Sequence, residues 1–211
     1  MEDEYSVNTI LITGASSGIG EGVAKAFAST GVRVGINFPT EKDRAGAESI
    51  LRDIVDNGGK GDLFKADVSS ESEVINMFDR VFDRFGHLDA LINNAGVAKA
   101  SLIENTSLED WQRTLDIHLR GTFLCTKSVL PHMYERNFGK IINTASQLAY
   151  KGAPAFSGYT AAKGGIISFT RSLALEIGER LINANCVAPG ATMTPMLEDV
   201  PESVLEDIRA L

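Results

Sequence analysis

Three residues between positions 143 and 165 could carry out proton chemistry. Ser146 is followed thirteen residues later by Tyr159, which forms the spacing Tyr-x-x-x-Lys with Lys163. Residues four apart share one face of a helix, and an ammonium close to a phenol favours the ionised phenol because opposite charges attract. A tyrosine tuned in this way can exchange a proton near neutral pH, which a free phenol with a pKa near ~10 does poorly. We expect Ser146, arriving from another element, to hold a carbonyl or hydroxyl oxygen against that phenol.

A glycine-rich turn near the start of the chain could hold a phosphate. A short apolar strand at Thr9–Ile12 precedes Gly14, Gly18 and Gly20, which have the spacing G-x-x-x-G-x-G, and a helix follows. Glycine is needed where φ is positive or where backbone approaches a ligand closely. The free N–H groups and the dipole at the start of that helix suit a pyrophosphate.

Five separated motifs occur together in one order along the chain. They are TGASSGIG (Thr13 to Gly20), Asp67-Val68, NNAG (Asn93 to Gly96), Ser146 with Tyr159 and Lys163, and Pro189-Gly190 with Thr194. In this order and spacing the chain resembles the short-chain dehydrogenase/reductase family over essentially its whole length.

The resemblance implies an NAD(P)-dependent oxidoreductase that moves a hydride between nicotinamide and a carbonyl or alcohol carbon. Tyr159 would be the acid/base, Lys163 would lower the pKa of that tyrosine and hold the nicotinamide ribose, and Ser146 would orient the reacting oxygen. Asp67 would accept a hydrogen bond from the adenine amine; an N-cap or turn aspartate is the alternative. The expected cofactor contacts are Gly14, Ser16, Ser17, Gly18, Ile19, Gly20, Phe38, Asp67, Val68, Asn94, Ala95, Gly96, Tyr159, Lys163, Pro189, Gly190, Thr192 and Thr194.

His118 departs from the family pattern, which usually has asparagine at this position. The resemblance implies that this residue belongs to the catalytic set, because its backbone carbonyl holds a water that relays protons to the lysine. A main-chain role survives substitution if the local geometry does, and histidine can also hydrogen-bond through its ring. A satisfied helical histidine is the alternative, and it is compatible with activity.

The choice between NADP and NAD depends on the end of the second strand. Phe38 stands where NAD-type relatives carry an acid, so the group that would repel a 2′-phosphate is missing. No arginine directly follows, and Ser17 stands where NADP-type relatives often carry a basic residue. Ser16, Thr40 and Lys42 could contact a phosphate, so we expect NADP slightly ahead of NAD.

The length, charge and composition of the chain exclude several classes of protein. The 211 residues suffice for one domain with its own core. The net charge of −8 argues against nucleic acid or an anionic membrane as partner, and no apolar run approaches the roughly 20 residues of a membrane helix. The acidic N-terminus lacks signal-peptide features, two isolated cysteines fit a reduced cytoplasm, and the histidines show no metal spacing. We expect a cytoplasmic protein without metal, and the resemblance implies a homo-oligomer, either a dimer or a tetramer.

Strand-like and helical patterns alternate along the chain and predict an α/β fold with a doubly wound parallel sheet of Rossmann type in a single domain, residues 1–211. The strands are expected at Thr9–Ile12, Val32–Phe38, Gly61–Ala66, Leu88–Ile92, Lys140–Thr144 and Ile182–Val187. The helices are expected at Gly18–Ser29, Lys42–Asn57, Glu71–Phe85, Leu108–Glu135, Gly158–Gly178 and Glu202–Ala210, with Pro131 shortening or kinking the fourth. Ligands bind such sheets at the carboxyl ends of the strands.

The chain stops early for this family, whose members usually continue for another helix and a final strand. We therefore expect 211 residues to be part of a longer protein. Without a further strand, Ile182–Val187 would form an exposed apolar edge.

Two other functions fit parts of the pattern. A catalytically weak nucleotide-binding sensor or assembly protein would share the fold, and His118 and the short C-terminus favour it. Sugar-nucleotide epimerases also carry Tyr-x-x-x-Lys, but their glycine turn is usually spaced G-x-x-G-x-x-G and their chains are longer. The expected substrate pocket is mixed apolar and polar and comprises Ala98, Lys99, Gln147, Leu148, Phe156 and Met193–Leu197.

Overall fold

The computed structural model describes residues 6–197, which form one domain around a six-stranded parallel sheet. The strands are β1 (Thr9–Ile12), β2 (Arg33–Phe38), β3 (Lys60–Lys65), β4 (Ala90–Asn93), β5 (Phe138–Thr144) and β6 (Leu181–Val187). Their order is β3-β2-β1-β4-β5-β6. The order reverses between β1 and β4, and such a switch point opens a crevice at the carboxyl ends of the strands.

Seven α-helices are present in this part of the chain. They are α1 (Gly18–Ala28), α2 (Arg44–Asp56), α3 (Glu71–Phe85), α4 (Leu108–Leu115), α5 (Gly121–Arg136), α6 (Leu148–Lys151) and α7 (Ser157–Glu176). None of the helices within residues 6–197 is long and apolar enough to cross a bilayer. The doubly wound fold predicted from the alternating pattern is confirmed.

The strands are apolar because both faces of the sheet are covered. Leu11 packs on one face with side chains of α3 and α5, including Met77 and Val129. Ile10 and Ile12 point to the other face, where α1 and α2 lie. Ile10, Leu11 and Ile12 are all fully buried, so the strand shows no polar alternation.

The predicted helix at Leu108–Glu135 is wrong in one respect. A π-helical turn at Asp116–Arg120 separates α4 from α5, and this turn buries Ile117 and His118. Such turns arise from an extra residue in the helical ladder and often mark functional sites. Pro131 lies inside α5, which continues to Arg136 rather than ending early.

Other predicted bounds differ by only a few residues, and α6 was not expected. The expected helix at Glu202–Ala210 lies outside the described residues. Among the described strands, β6 is the outermost on its side of the sheet.

Buried polar side chains tie the carboxyl ends of the strands together. Asn93 on β4 donates to Asn143 Oδ1 on β5 at 2.9 Å and to Thr126 Oγ1 on α5 at 3.2 Å. Asn143 in turn donates to Thr170 Oγ1 on α7 at 2.9 Å. Within the described residues these groups are buried and, apart from Asn93 Oδ1, paired, so they fix the position of α7 against the sheet.

Candidate functional site

A cavity of about 360 Å³ opens at the carboxyl edge of the sheet. Eighteen of the predicted site residues lie on its wall, and they come from positions between Gly14 and Thr194. They are Gly14, Ser16, Ser17, Gly18, Ile19, Asp67, Val68, Asn94, Ala95, Gly96, His118, Ser146, Tyr159, Lys163, Pro189, Gly190, Thr192 and Thr194.

Two predicted cofactor residues, Gly20 and Phe38, do not lie on this wall. Gly20 is in the interior of α1, where an added Cβ would be 2.5 Å from the Gly14 carbonyl oxygen, so the glycine is needed for packing of the turn. The Phe38 ring is 1% exposed and belongs to the core. The cavity wall beyond β2 is formed instead by Pro39, Thr40 and Asp43.

The glycine-rich turn has the geometry of an anion cradle. Gly14 and Gly18 have φ values of +62° and +58°, and a Cβ on Gly14 would be 2.7 Å from Ala95 Cα. Ser17, at the start of α1, makes no side-chain capping bond, so the first N–H groups of the helix remain available to a ligand. The residues present therefore fit a pyrophosphate at this helix start.

The three residues predicted for proton chemistry meet at the other end of the cavity. Ser146 follows β5 and is buried, whereas Tyr159 and Lys163 lie on one face of α7. The Lys163 ammonium is 5.6 Å from the centre of the Tyr159 ring and donates a hydrogen bond to the Thr144 carbonyl at 2.6 Å. This bond is possible because β5 ends beside α7, and it holds the lysine under the phenol.

The acidity of this cluster differs from the prediction. Burial raises the pKa of Tyr159, and a hydrogen bond with the Ser146 side chain only partly opposes that effect. Burial also lowers the pKa of Lys163 to about 8. The net pKa shift of Tyr159 is therefore opposite to the predicted one, because burial outweighs the groups that favour the phenolate, and the phenol keeps its proton at neutral pH.

The ring of His118 connects the π-helical turn to the segment after β4. Its Nε2 lies 2.7 Å from the Val97 carbonyl oxygen and 3.0 Å from the Val97 nitrogen. Within the described part of the chain its Nδ1 is buried without a partner. The ring meets Tyr159 edge-on at 5.2 Å and covers Gly96, where a Cβ would be 2.3 Å from Cε1.

His118 is a neutral side chain here. Burial, together with the nearby Lys163 charge, lowers the pKa of its imidazole to about 3. Its backbone carbonyl accepts a hydrogen bond from Thr122 Oγ1 at 2.7 Å. The Gly121 N–H also donates to this carbonyl. A carbonyl oxygen has two lone pairs, so both are engaged here, and the water that the resemblance implies would have to replace one of these donors.

The comparison with known proteins decides the family. A family model described as short chain dehydrogenase matches residues 8–204. The chain belongs to the short chain dehydrogenase family. A 3-oxoacyl-[acyl-carrier-protein] reductase of Synechocystis is 39% identical, with 94% of this chain and 80% of the relative covered. A 3beta-hydroxysteroid dehydrogenase of Eggerthella lenta is 36% identical over 93% of this chain and 75% of its own length.

A solved structure agrees with these matches. An actinorhodin polyketide ketoreductase variant with NADPH superposes with a TM-score of 0.88 at 33% identity, covering 96% of this chain and 77% of that protein. This short chain dehydrogenase is therefore an NAD(P)-dependent oxidoreductase acting on a carbonyl or alcohol group. The sensor alternative is not favoured.

The cavity wall beside Asp67 contains a residue that the sequence did not indicate. Arg113, on α4, donates to Asp67 Oδ2 at 3.0 Å and to Ser69 Oγ at 2.9 Å. Ser69 donates to the other Asp67 oxygen through its N–H and its hydroxyl. Burial raises the pKa of Asp67, but these bonds outweigh it and hold the pKa below its usual range.

Charges of both signs follow the end of β2, where the sequence predicts contacts to the ribose 2′ group. Thr40 donates to Asp43 Oδ2 at 2.6 Å, and both residues are on the cavity wall. The Arg44 guanidinium lies 5.2 Å from the centre of the Phe38 ring and pairs with Glu41. Ser16 is on the wall as expected for a phosphate contact, whereas Lys42 is not.

Proposed function

We propose that Tyr159 is the acid/base of this dehydrogenase. Its phenol, its Ser146 partner and the Lys163 ammonium border the same cavity as the glycine-rich turn, and this shared placement carries the proposal. Since burial keeps the phenol protonated, Tyr159 can donate its proton to a substrate oxygen that gains negative charge. In the reverse direction the phenol oxygen of Tyr159, in its deprotonated form, takes the proton of an alcohol substrate.

Ser146 and Lys163 support that step in different ways. The Ser146 hydroxyl holds the reacting oxygen against the phenol and stabilises its developing charge. Lys163, with a pKa of about 8, is mostly charged at pH 7 and stabilises the phenolate that forms once the proton has left. It also holds the nicotinamide ribose. When bound, the cofactor supplies or accepts the hydride.

We further propose that the remaining predicted wall residues bind the cofactor. The pyrophosphate lies at the start of α1, Asp67 contacts the adenine amine, and the segment from Pro189 to Thr194 holds the carboxamide end of the nicotinamide. His118 positions Tyr159, because its ring packs edge-on against the phenol ring. NADP is preferred over NAD; the NADPH in the ketoreductase structure supports this preference.

The assembly and the location of the protein also belong to the proposal. We infer that the chain works as one domain over residues 1–211, as a homo-oligomer, in the cytoplasm. The two cysteines are unpaired thiols, and the net charge of −8 favours neither nucleic acid nor an anionic membrane.

Oxidation of NADPH and of NADH with a panel of ketones tests the function. The panel contains a 3-oxoacyl thioester and a 3-oxosteroid, the classes that the relatives' names suggest, together with small aliphatic ketones. We expect turnover of at least one ketone, faster with NADPH. Tight cofactor binding without turnover of any ketone or alcohol would refute the proposal and favour a sensor.

A further inference from the structure

The side-chain amide of Gln147 faces the cavity without a hydrogen-bond partner among the described residues. The backbone of this residue is fixed, because its N–H donates to the Pro189 carbonyl at 3.0 Å and its own carbonyl accepts from the Tyr150 N–H at 3.0 Å. Its Oε1 lies 3.5 Å from the point where a Cβ on Gly190 would be. The amide is therefore held between the Ser146 turn and the segment after β6.

The wall around Tyr159 is otherwise mostly apolar. Ala98, Leu148 and Phe156 are on the cavity wall beside Tyr159. Leu148 and Phe156 are buried, and they form a small cluster with Ala98 and Tyr159. A substrate that fills this space displaces water from the surroundings of the amide.

An amide that loses water needs new partners. The side chain of glutamine carries two N–H donors and one acceptor oxygen. Leaving such groups unpaired in a closed apolar pocket is unfavourable. A ligand with a polar group opposite Gln147, next to the oxygen that Ser146 and Tyr159 hold, satisfies this half-buried amide, whereas a wholly apolar ligand leaves it unpaired.

We propose that Gln147 recognises a second oxygen of the substrate. Preferred substrates are then ketones with a hydroxyl or carbonyl oxygen on the first or second carbon from the reacting carbonyl, and with an otherwise apolar body. Ser146 and Gln147 are consecutive, and consecutive Cα atoms are about 3.8 Å apart, so their side chains can serve two oxygens that are separated by one or two carbon atoms. This inference rests on the proposed function of Ser146 and Tyr159.

A matched pair of ketones tests the role of Gln147. Ethyl 3-oxobutanoate carries a second carbonyl on the second carbon, and 2-hexanone has a similar chain with one oxygen only. The intrinsic reactivities of the two ketones differ. The readout is therefore kcat/KM for ethyl 3-oxobutanoate divided by kcat/KM for 2-hexanone, and this ratio is compared between wild type and Gln147→Leu. We expect this ratio to fall roughly tenfold, as the loss of one hydrogen bond implies, while the Kd of NADPH measured by fluorescence stays within about twofold. A second pair, 3-hydroxy-2-butanone and 2-butanone, tests the shorter spacing, because the hydroxyl of 3-hydroxy-2-butanone is on the first carbon from the carbonyl.

Gln112→Leu is the matched control. Gln112 is exposed on α4 and donates to Asp116 Oδ1 at 3.0 Å. It is not part of the cavity wall, so its replacement should not change the ratio. Gln147→Met serves as a second variant if Gln147→Leu does not fold.

Three outcomes would overturn the inference. An unchanged ratio with normal turnover would exclude recognition of a second oxygen by Gln147. A raised Kd of NADPH with an unchanged ratio would assign the amide to the nicotinamide end instead. Failure of wild type to reduce any of the four ketones or the larger panel would refute the proposed function, and this inference with it.

Discussion

His118 should make the protein unusually sensitive to mild acid. Its imidazole has a pKa of about 3 in the folded protein and 6.5 as a free group, because burial and the Lys163 charge oppose protonation. Between these values the unfolded chain binds a proton that the folded chain does not, so the free energy of unfolding rises with pH in this window. The stabilising contribution is complete above pH 6.5 and is lost as pH falls toward 3.

The size of this effect follows from the same two values. Each pH unit below 6.5 removes about 1.4 kcal/mol, so His118 should cost the protein about 2 kcal/mol of stability at pH 5. His118→Asn removes the titrating group. The asparagine amide ends at the level of the ring Nδ1 and is too short to reach Val97, so the variant also loses the hydrogen bond that Nε2 makes there.

Urea unfolding of wild type and His118→Asn at pH 7 and pH 5 measures this effect. At pH 7 we expect the variant to be less stable than wild type by about 1–3 kcal/mol, because it loses the hydrogen bond to Val97 and the ring contact with Tyr159. Between pH 7 and pH 5 the wild type should lose about 2 kcal/mol more stability than the variant loses. His132→Asn is the control, and because that ring is only partly buried its effect should be smaller.

Two results would refute this reasoning. Parallel pH dependence in wild type and His118→Asn would show that His118 does not titrate as a buried neutral ring. A collapse of turnover in a folded His118→Asn protein would show that the imidazole itself takes part in the chemistry, since the variant preserves the main-chain carbonyl.

Three further changes test individual contacts. Gly96→Ala should destabilise the protein by about 1–3 kcal/mol, because its Cβ would meet the His118 ring, and adding His118→Ala should restore part of that loss in urea unfolding; an unaffected single variant would contradict the packing. Lys163→Met should abolish turnover. It should nevertheless stabilise the protein at pH 7 by about 1–3 kcal/mol, because it removes a buried cation whose pKa is lowered to about 8. Strong destabilisation in urea unfolding would show that the bond to Thr144 outweighs the burial cost. Arg113→Ala should raise the Kd of NADPH two- to fivefold, in keeping with a half-exposed ion pair to Asp67, and an unchanged Kd would separate this ion pair from cofactor binding.

The sequence predicted the parts of the fold that depend on local patterns. The apolar strand before Gly14 and the helix after Gly18 follow from short-range composition, and β1 and α1 lie where they were expected. The π-helical turn at Asp116–Arg120 carries no glycine or proline signal. It depends on tertiary packing, so the pattern of the segment indicated one continuous helix instead.

Contacts between distant residues could not be read in the same way. Arg113 reaches Asp67 across 46 positions and His118 reaches Val97 across 21, and neither pair follows a local spacing rule. The sign of the Tyr159 pKa shift was missed for a related reason. The Tyr-x-x-x-Lys spacing places the lysine correctly, but the degree of burial that decides the pKa is set by the surrounding fold.

Single-turnover kinetics of Tyr159→Phe test the central claim most directly. The substitution removes one hydroxyl, which hydrogen-bonds with Ser146, and leaves the ring contact with His118 in place. A proton donor contributes about 10²–10⁴ to a rate, so hydride transfer from bound NADPH should slow by at least about a hundredfold while the Kd of NADPH stays within about twofold. A variant that keeps most of the wild-type rate with cofactor affinity intact would show that another group supplies the proton.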